Sequence, residues 1–164
     1  MQQLSSELGG FLKEKNLSFT CAESCTGGLL GQVITSVPGS SEWFESGFIT
    51  YSYRAKVNIL GVSKKDLEKY GAVSEEIVKQ MVTGAIEKSE ANVGVAISGI
   101  AGPAGRTDSK PVGTVCFAWK INNSELITST ELFTGDRNKV RCSSVKLSLI
   151  HISEPTRPRL ISYA

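Results

Sequence analysis

A chain of 164 residues, 40% hydrophobic and 21% charged, is long enough to bury one core and short for two, so a single soluble domain is expected. Its formal net charge of +2, from 18 basic and 16 acidic residues scattered along the chain, offers no basic face for a nucleic acid, and no apolar run reaches the length of a membrane span. Four cysteines without a C-x-x-C spacing and a single histidine argue against a zinc site and suit free thiols in a reducing cytoplasm.

The first sixteen residues lack both the basic and the apolar segments of a secretory leader. Instead, Leu4, Leu8, Phe11 and Leu12 recur at helical spacing. Residues 17–22 read as a strand that runs into the turn Glu23-Ser24-Cys25-Thr26-Gly27-Gly28. A helix follows through Leu29, Leu30, Val33, Ile34 and Val37, stopping at Pro38-Gly39. This arrangement leaves backbone N–H groups at a helix N-terminus, over Cys25, Thr26, Gly27 and Gly28, where an anion or a developing oxyanion is stabilised, with Ser24 at the mouth. The same residues also suit an ordinary serine N-cap followed by two turn glycines.

Trp43 and Phe44 read as core residues, and the β-branched and aromatic run 47–52 as a strand. A short helix over 53–60 ends at Gly61, and Ser63 with Asp66 forms a capping box for a helix that stops at Tyr70-Gly71. Ser74, Glu75 and Glu76 open a longer helix whose apolar face carries Ile77, Val78, Met81, Val82, Ala85 and Ile86. The small apolar run 92–98 suits a central strand covered on both faces. It empties into a loop containing Gly99, Gly102 and Gly105, which suits either close backbone approach to a ligand or a plain surface loop, and which is no Walker loop.

Segments 113–121 and 125–133 flank Asn122-Asn123-Ser124 as an antiparallel hairpin. A last helix starts near Asp136, which can cap it, and carries Arg137, Lys139 and Arg141 early, where cations oppose the helix dipole unless an anion is bound. Solvated surface charge is the commoner explanation for any one of them. Helices alternating with strands and then a hairpin predict a layered α/β/α domain with a mixed sheet, the hairpin toward one edge.

Four segments in combination resemble the CinA C-terminal domain family, the nicotinamide-nucleotide amidohydrolases. They are Thr20-Cys21-Ala22-Glu23-Ser24-Cys25-Thr26-Gly27-Gly28; Gly39-Ser40-Ser41 with Trp43-Phe44, running through Gly47-Phe48-Ile49-Thr50-Tyr51-Ser52 to Ala55-Lys56; Ser98-Gly99-Ile100-Ala101-Gly102-Pro103 with Lys110-Pro111-Val112-Gly113-Thr114-Val115; and Phe133-Thr134-Gly135-Asp136-Arg137 with Val140-Arg141. The resemblance implies hydrolysis of the carboxamide of nicotinamide mononucleotide to the acid and ammonia in pyridine nucleotide salvage. It further implies a cytoplasmic homo-oligomer, with a dimer favoured. Matched position by position, it makes Ser24 the nucleophile, Lys56 its base and Tyr51 a neighbouring hydroxyl.

The residues are compatible with those roles. Serine needs an adjacent base, and the lone His151 lies close to a doubtful tail, so a serine–lysine pair is the alternative to a triad, provided Lys56 is desolvated. No metal or cofactor is required. Candidates for holding the substrate phosphate are the loop with Gly99 and Gly102, Arg137 and Arg141, and spacing does not choose among them. Two other readings stay open: a non-catalytic ligand-sensing or partner-binding module on the same fold, and an amidase for a different small amide. Residues 1–152 form the expected domain. The tail 153–164, with Pro155 and Pro158, departs from the family's continued helix, resembles translated sequencing adapter, and is expected to be disordered or artefactual.

Overall fold

The computed structural model describes residues 1–121 and 126–153. The expected turn at 122–124 and all but the first residue of the tail 153–164 lie outside the described residues. Five strands, β1 (Phe19–Glu23), β2 (Phe44–Ile49), β3 (Val93–Gly99), β4 (Thr114–Ile121) and β5 (Ile127–Leu132), form one sheet in the order β2-β1-β3-β4-β5. The pairs β2–β1 and β1–β3 are parallel, whereas β3–β4 and β4–β5 are antiparallel. The mixed sheet and the edge hairpin expected from the sequence are therefore both present.

Six helices cover the sheet: α1 (Gln2–Glu14), α2 (Leu29–Thr35), α3 (Tyr53–Leu60), α4 (Lys64–Tyr70), α5 (Glu75–Ser89) and α6 (Arg137–Ser153). Strand alternation divides the core in two. On one face Phe19, Cys21, Val95, Ile97, Phe117 and Trp119 pack under α1, α2 and α6, through Leu8, Leu12, Leu30, Ile34, Val145 and Leu149. On the other, the small side chains of Ala22, Ala96, Cys116 and Ala118 let α5 lie close, with Val78, Met81 and Val82 against them. Gly84 permits a second close approach on this face, because a Cβ there would stand 2.0 Å from the Leu60 carbonyl oxygen at the crossing of α3 and α5.

The connection leaving β1 passes to the α2 face, and the one leaving β2 passes to the α5 face. Two adjacent parallel strands whose connections diverge open a crevice at their carboxyl ends, the usual place for a ligand in a sheet of this kind. Ser24 follows β1 at that crevice and residues 50–56 follow β2.

Several boundaries differ from those read in the sequence. Strand β2 starts at Phe44 and ends at Ile49 rather than spanning 47–52, since Ser52 leaves the sheet to cap α3, accepting from the Ala55 N–H at 3.0 Å. The Ser63 hydroxyl caps α4 as expected, accepting from Asp66 N–H at 3.2 Å. The reciprocal half of the box is replaced: Gln80 accepts from the Ser63 N–H at 2.8 Å and donates to the Asp66 carboxylate at 2.9 Å. Asp136 caps α6 through the Lys139 N–H at 2.8 Å, and Trp43 is buried at 2% exposure.

Candidate active site

Ser24 sits just past β1 at 8% exposure, and its Oγ lies 2.9 Å from Nζ of Lys56. Lys56 projects from α3 on the same side as Leu60, four residues on, and is completely buried. Its Nζ also donates to the main-chain carbonyls of Thr50 at 2.7 Å and Tyr51 at 3.3 Å. Those two carbonyls use two of the amine's positions and leave the third facing Ser24. In the ammonium form that position carries a proton toward the serine, and in the neutral form it carries the lone pair.

Burial lowers the Lys56 pKa from 10.5 to about 8, desolvation outweighing the opposing pull of the Cys25 thiol. A fraction of the amine is then neutral near physiological pH. The adjacent Cys25 is pushed the other way by its own burial, up to about 12, so its thiol stays protonated.

The expected helix N-terminal oxyanion site is altered by a residue to which the sequence reading gave no role. The carboxylate of Glu23, 1% exposed, accepts from the backbone N–H groups of Gly28 at 3.1 Å, Leu30 at 3.1 Å and Gly31 at 2.9 Å. The first turn of α2 is thus filled from within the protein, and Gly28 is not free to meet an anion. The Gly27 N–H closes the turn on the Ser24 carbonyl at 3.1 Å. What is left are the N–H groups of Cys25 and Thr26, which meet no carbonyl or carboxylate among the described residues.

Tyr51 contributes to Lys56 by its carbonyl, not by its hydroxyl. The side chain is 59% exposed, and its hydroxyl accepts from Arg137 at 3.1 Å. The same guanidinium donates to the Gly102 carbonyl at 2.8 Å, and Arg141, one turn along α6, donates to the Thr26 carbonyl at 2.8 Å. Arg137, Arg141, Tyr51, Thr26 and Gly102 are therefore gathered on one rim of the crevice. Gly99, which ends β3, and Gly102 in the loop after it answer to the protein's own packing. A Cβ on Gly99 would stand 2.8 Å from the Thr114 carbonyl oxygen, and one on Gly102, at φ +84°, would stand 2.5 Å from Val112.

Three buried hydroxyls belong to this part of the chain: that of Thr26, a residue the sequence singled out for its N–H, and those of Thr50 and Ser98, to which it gave no role. Thr26, Thr50 and Ser98 are all 1% exposed or less, and none has a hydrogen-bond partner. Threonine and serine are too common for composition to single out Thr50 and Ser98, and only the strand register brings those two to Ser24. Among the described residues no group of three His, Cys, Asp or Glu side chains gathers as metal ligands would, and no helix is long and apolar enough to cross a membrane.

The fold recurs in known proteins. The crystal structure of a competence or damage-inducible protein from Enterobacter asburiae superposes with a TM-score of 0.90 at 38% identity, covering 94% of this chain and 96% of that one. A nicotinamide-nucleotide amidohydrolase PncC from Enterobacter agglomerans is 48% identical over 149 residues, 91% of this chain and 91% of the relative. A CinA-like protein from Akkermansia muciniphila is 52% identical over 130 residues, 79% of this chain but 31% of that longer protein. With a family model matching over residues 1–155, the chain belongs to the CinA C-terminal domain family.

Proposed function

We propose that this protein hydrolyses the carboxamide of nicotinamide mononucleotide to nicotinate mononucleotide and ammonia, with Ser24 as nucleophile and Lys56 as general base. The observation that carries the mechanism is the 2.9 Å contact between Ser24 Oγ and a fully buried Lys56 Nζ, whose pKa burial lowers to about 8. The relatives named as amidohydrolases of nicotinamide nucleotide support the substrate.

Neutral Lys56 takes the Ser24 proton as Oγ attacks the carboxamide carbon, and the carbonyl π pair moves onto oxygen. The N–H groups of Cys25 and Thr26 are the available donors to that oxyanion, each worth about 3–4 kcal/mol in comparable sites. Collapse breaks the C–N bond, its electron pair leaves with nitrogen, and the Lys56 ammonium returns the proton, so that ammonia departs and an acyl-serine remains. Water then gives a proton to Lys56 as it attacks the acyl carbon, the bond to Ser24 Oγ breaks, and the Lys56 ammonium returns the proton to Oγ as the acid departs.

Arg137 and Arg141, on the crevice rim beside the Gly102 loop, are suited to the substrate phosphate, because a guanidinium pairs its planar donors with phosphate oxygens. Turning an amide nucleotide into its acid is the kind of step that returns a spent pyridine nucleotide to synthesis, which suits a cytoplasmic salvage role. A homodimer fits the same reading. Ammonia release by the purified protein over a panel of amides tests the proposal. Release from the mononucleotide in clear preference to simple amides is the expected result, and no release from any of them would favour a non-catalytic module.

A further inference from the structure

The β-ladder carries a row of hydroxyls through the nucleophile. Glu23 pairs with Ile97 on one side and with Ile49 on the other, and the next step of each ladder is made by the Ser24 N–H to the Ile97 carbonyl and the Thr50 N–H to the Glu23 carbonyl, both at 2.9 Å. Thr50 just past β2, Ser24 just past β1 and Ser98 on β3 therefore stand side by side across the carboxyl ends of three neighbouring strands. Alternation puts them on the face of Phe48, Ala22 and Ala96, the face from which Lys56 descends. Beyond Ser98 the row continues to Cys116, its direct partner on β4, which lines a cavity of about 430 Å³.

Ser98 is 1% exposed and its hydroxyl has no partner. Leaving a buried hydroxyl unpaired is costly, and such an orphan in a native protein calls for an explanation, a catalytic role being one. Of the four buried side-chain orphans among the described residues, Thr50 and Ser98 flank Ser24 across the sheet and Thr26 lies two residues beyond it in the turn. A primary carboxamide needs donors for its oxygen and acceptors for its NH2. The turn N–H groups of Cys25 and Thr26 can only donate, so they suit the oxygen. On the opposite side of Ser24 from the edge strand, Ser98 supplies an oxygen able to accept.

We infer that the Ser98 hydroxyl accepts a hydrogen bond from the NH2 of the scissile carboxamide, holding the leaving nitrogen beside Ser24 while the oxygen turns to the Cys25 and Thr26 N–H groups. This rests on the amidohydrolase reading above. Ser98 then contacts the leaving group, so its loss should depend on what that group is.

The test compares wild type and Ser98→Ala on nicotinamide mononucleotide and on the methyl ester of nicotinate mononucleotide, which presents the same acyl group but no N–H. The expected result is a fall of about 10- to 100-fold in kcat/KM for the amide, with the ester changed less than about threefold. The variant's Tm should be equal or higher, since an unpaired buried hydroxyl has been removed. Equal loss on both substrates, or no loss on the amide, overturns the inference while leaving the amidase activity standing. Absence of amide hydrolysis in the wild type would instead overturn the amidohydrolase reading itself.

Discussion

The carboxylate of Glu23 accepts the backbone N–H of Gly31 at 2.9 Å, reaching across the turn that presents Ser24. Together with its bonds to Gly28 and Leu30 it ties the end of β1 to the start of α2 and fixes the serine between them. Glu23→Gln replaces one accepting oxygen by an NH2 that faces N–H donors. It should cost about 1–3 kcal/mol of stability, measured by urea denaturation, and lower kcat more than it raises KM. An unchanged unfolding midpoint would remove Glu23 from this role.

The buried Lys56 should write its signature into stability as well as activity. Its pKa is lowered from 10.5 in the unfolded chain to about 8 in the folded one, chiefly by desolvation. Between those values the unfolded chain holds a proton that the folded chain has lost, so this group makes the folded state more stable as pH rises through the window. Below about 8 the full cost applies, roughly 3 kcal/mol for a shift of this size. Lys56→Met should therefore be stabilised relative to wild type most at about pH 6–7, with the advantage shrinking toward pH 10 in denaturation series of the two proteins.

Arg137 joins the Gly102 loop to Tyr51 at the rim, and the assignment of phosphate binding to it is testable by substrate truncation. Arg137→Ala should lower kcat/KM on the mononucleotide by about 10- to 100-fold and leave the riboside, which lacks the phosphate, nearly unaffected. Tyr51→Phe should cost less, because the Lys56 contact uses the Tyr51 carbonyl, which the substitution keeps. Equal losses on the two substrates would make Arg137 a structural tie between loops.

Thiol chemistry separates Cys25 from the mechanism. Cys142 is exposed, while Cys25 is buried and pushed up to about 12. Iodoacetamide at neutral pH should modify Cys142 first and leave amidase activity intact, as peptide mapping and ammonia release would show. Loss of activity in step with labelling of Cys25 would contradict this.

The central strand and the longest apolar stripe were legible because each carries its own pattern: an unbroken run of small apolar residues for β3, buried on both faces, and the stripe from Ile77 to Ile86 for α5. Ser24 and Lys56 were legible as residue types in a family-like pattern. Their 2.9 Å approach depends on how α3 lies across the sheet, a tertiary fact. Glu23 escaped notice because an acid before a helix reads as an ordinary cap, whereas here it satisfies three N–H groups and displaces the expected oxyanion site. Tyr51 was read for its hydroxyl, which the end of β2 at Ile49 turns outward toward Arg137. The row of Thr50, Ser24 and Ser98 exists only once the strand order is known, since the three residues are far apart in the sequence and adjacent in the sheet.

The pairing of Ser24 with Lys56 is tested most directly by a double-mutant cycle on ammonia release from nicotinamide mononucleotide. A nucleophile and its base act as a unit, so Ser24→Ala and Lys56→Ala should each lower kcat by roughly three orders of magnitude or more, with the double variant hardly worse than either single one. The wild-type rate should also rise with pH through about 8, as Lys56 loses its proton. A folded Ser24→Ala protein that keeps most of its activity, or losses that multiply in the double variant, would contradict the covalent serine–lysine mechanism and favour direct attack by water.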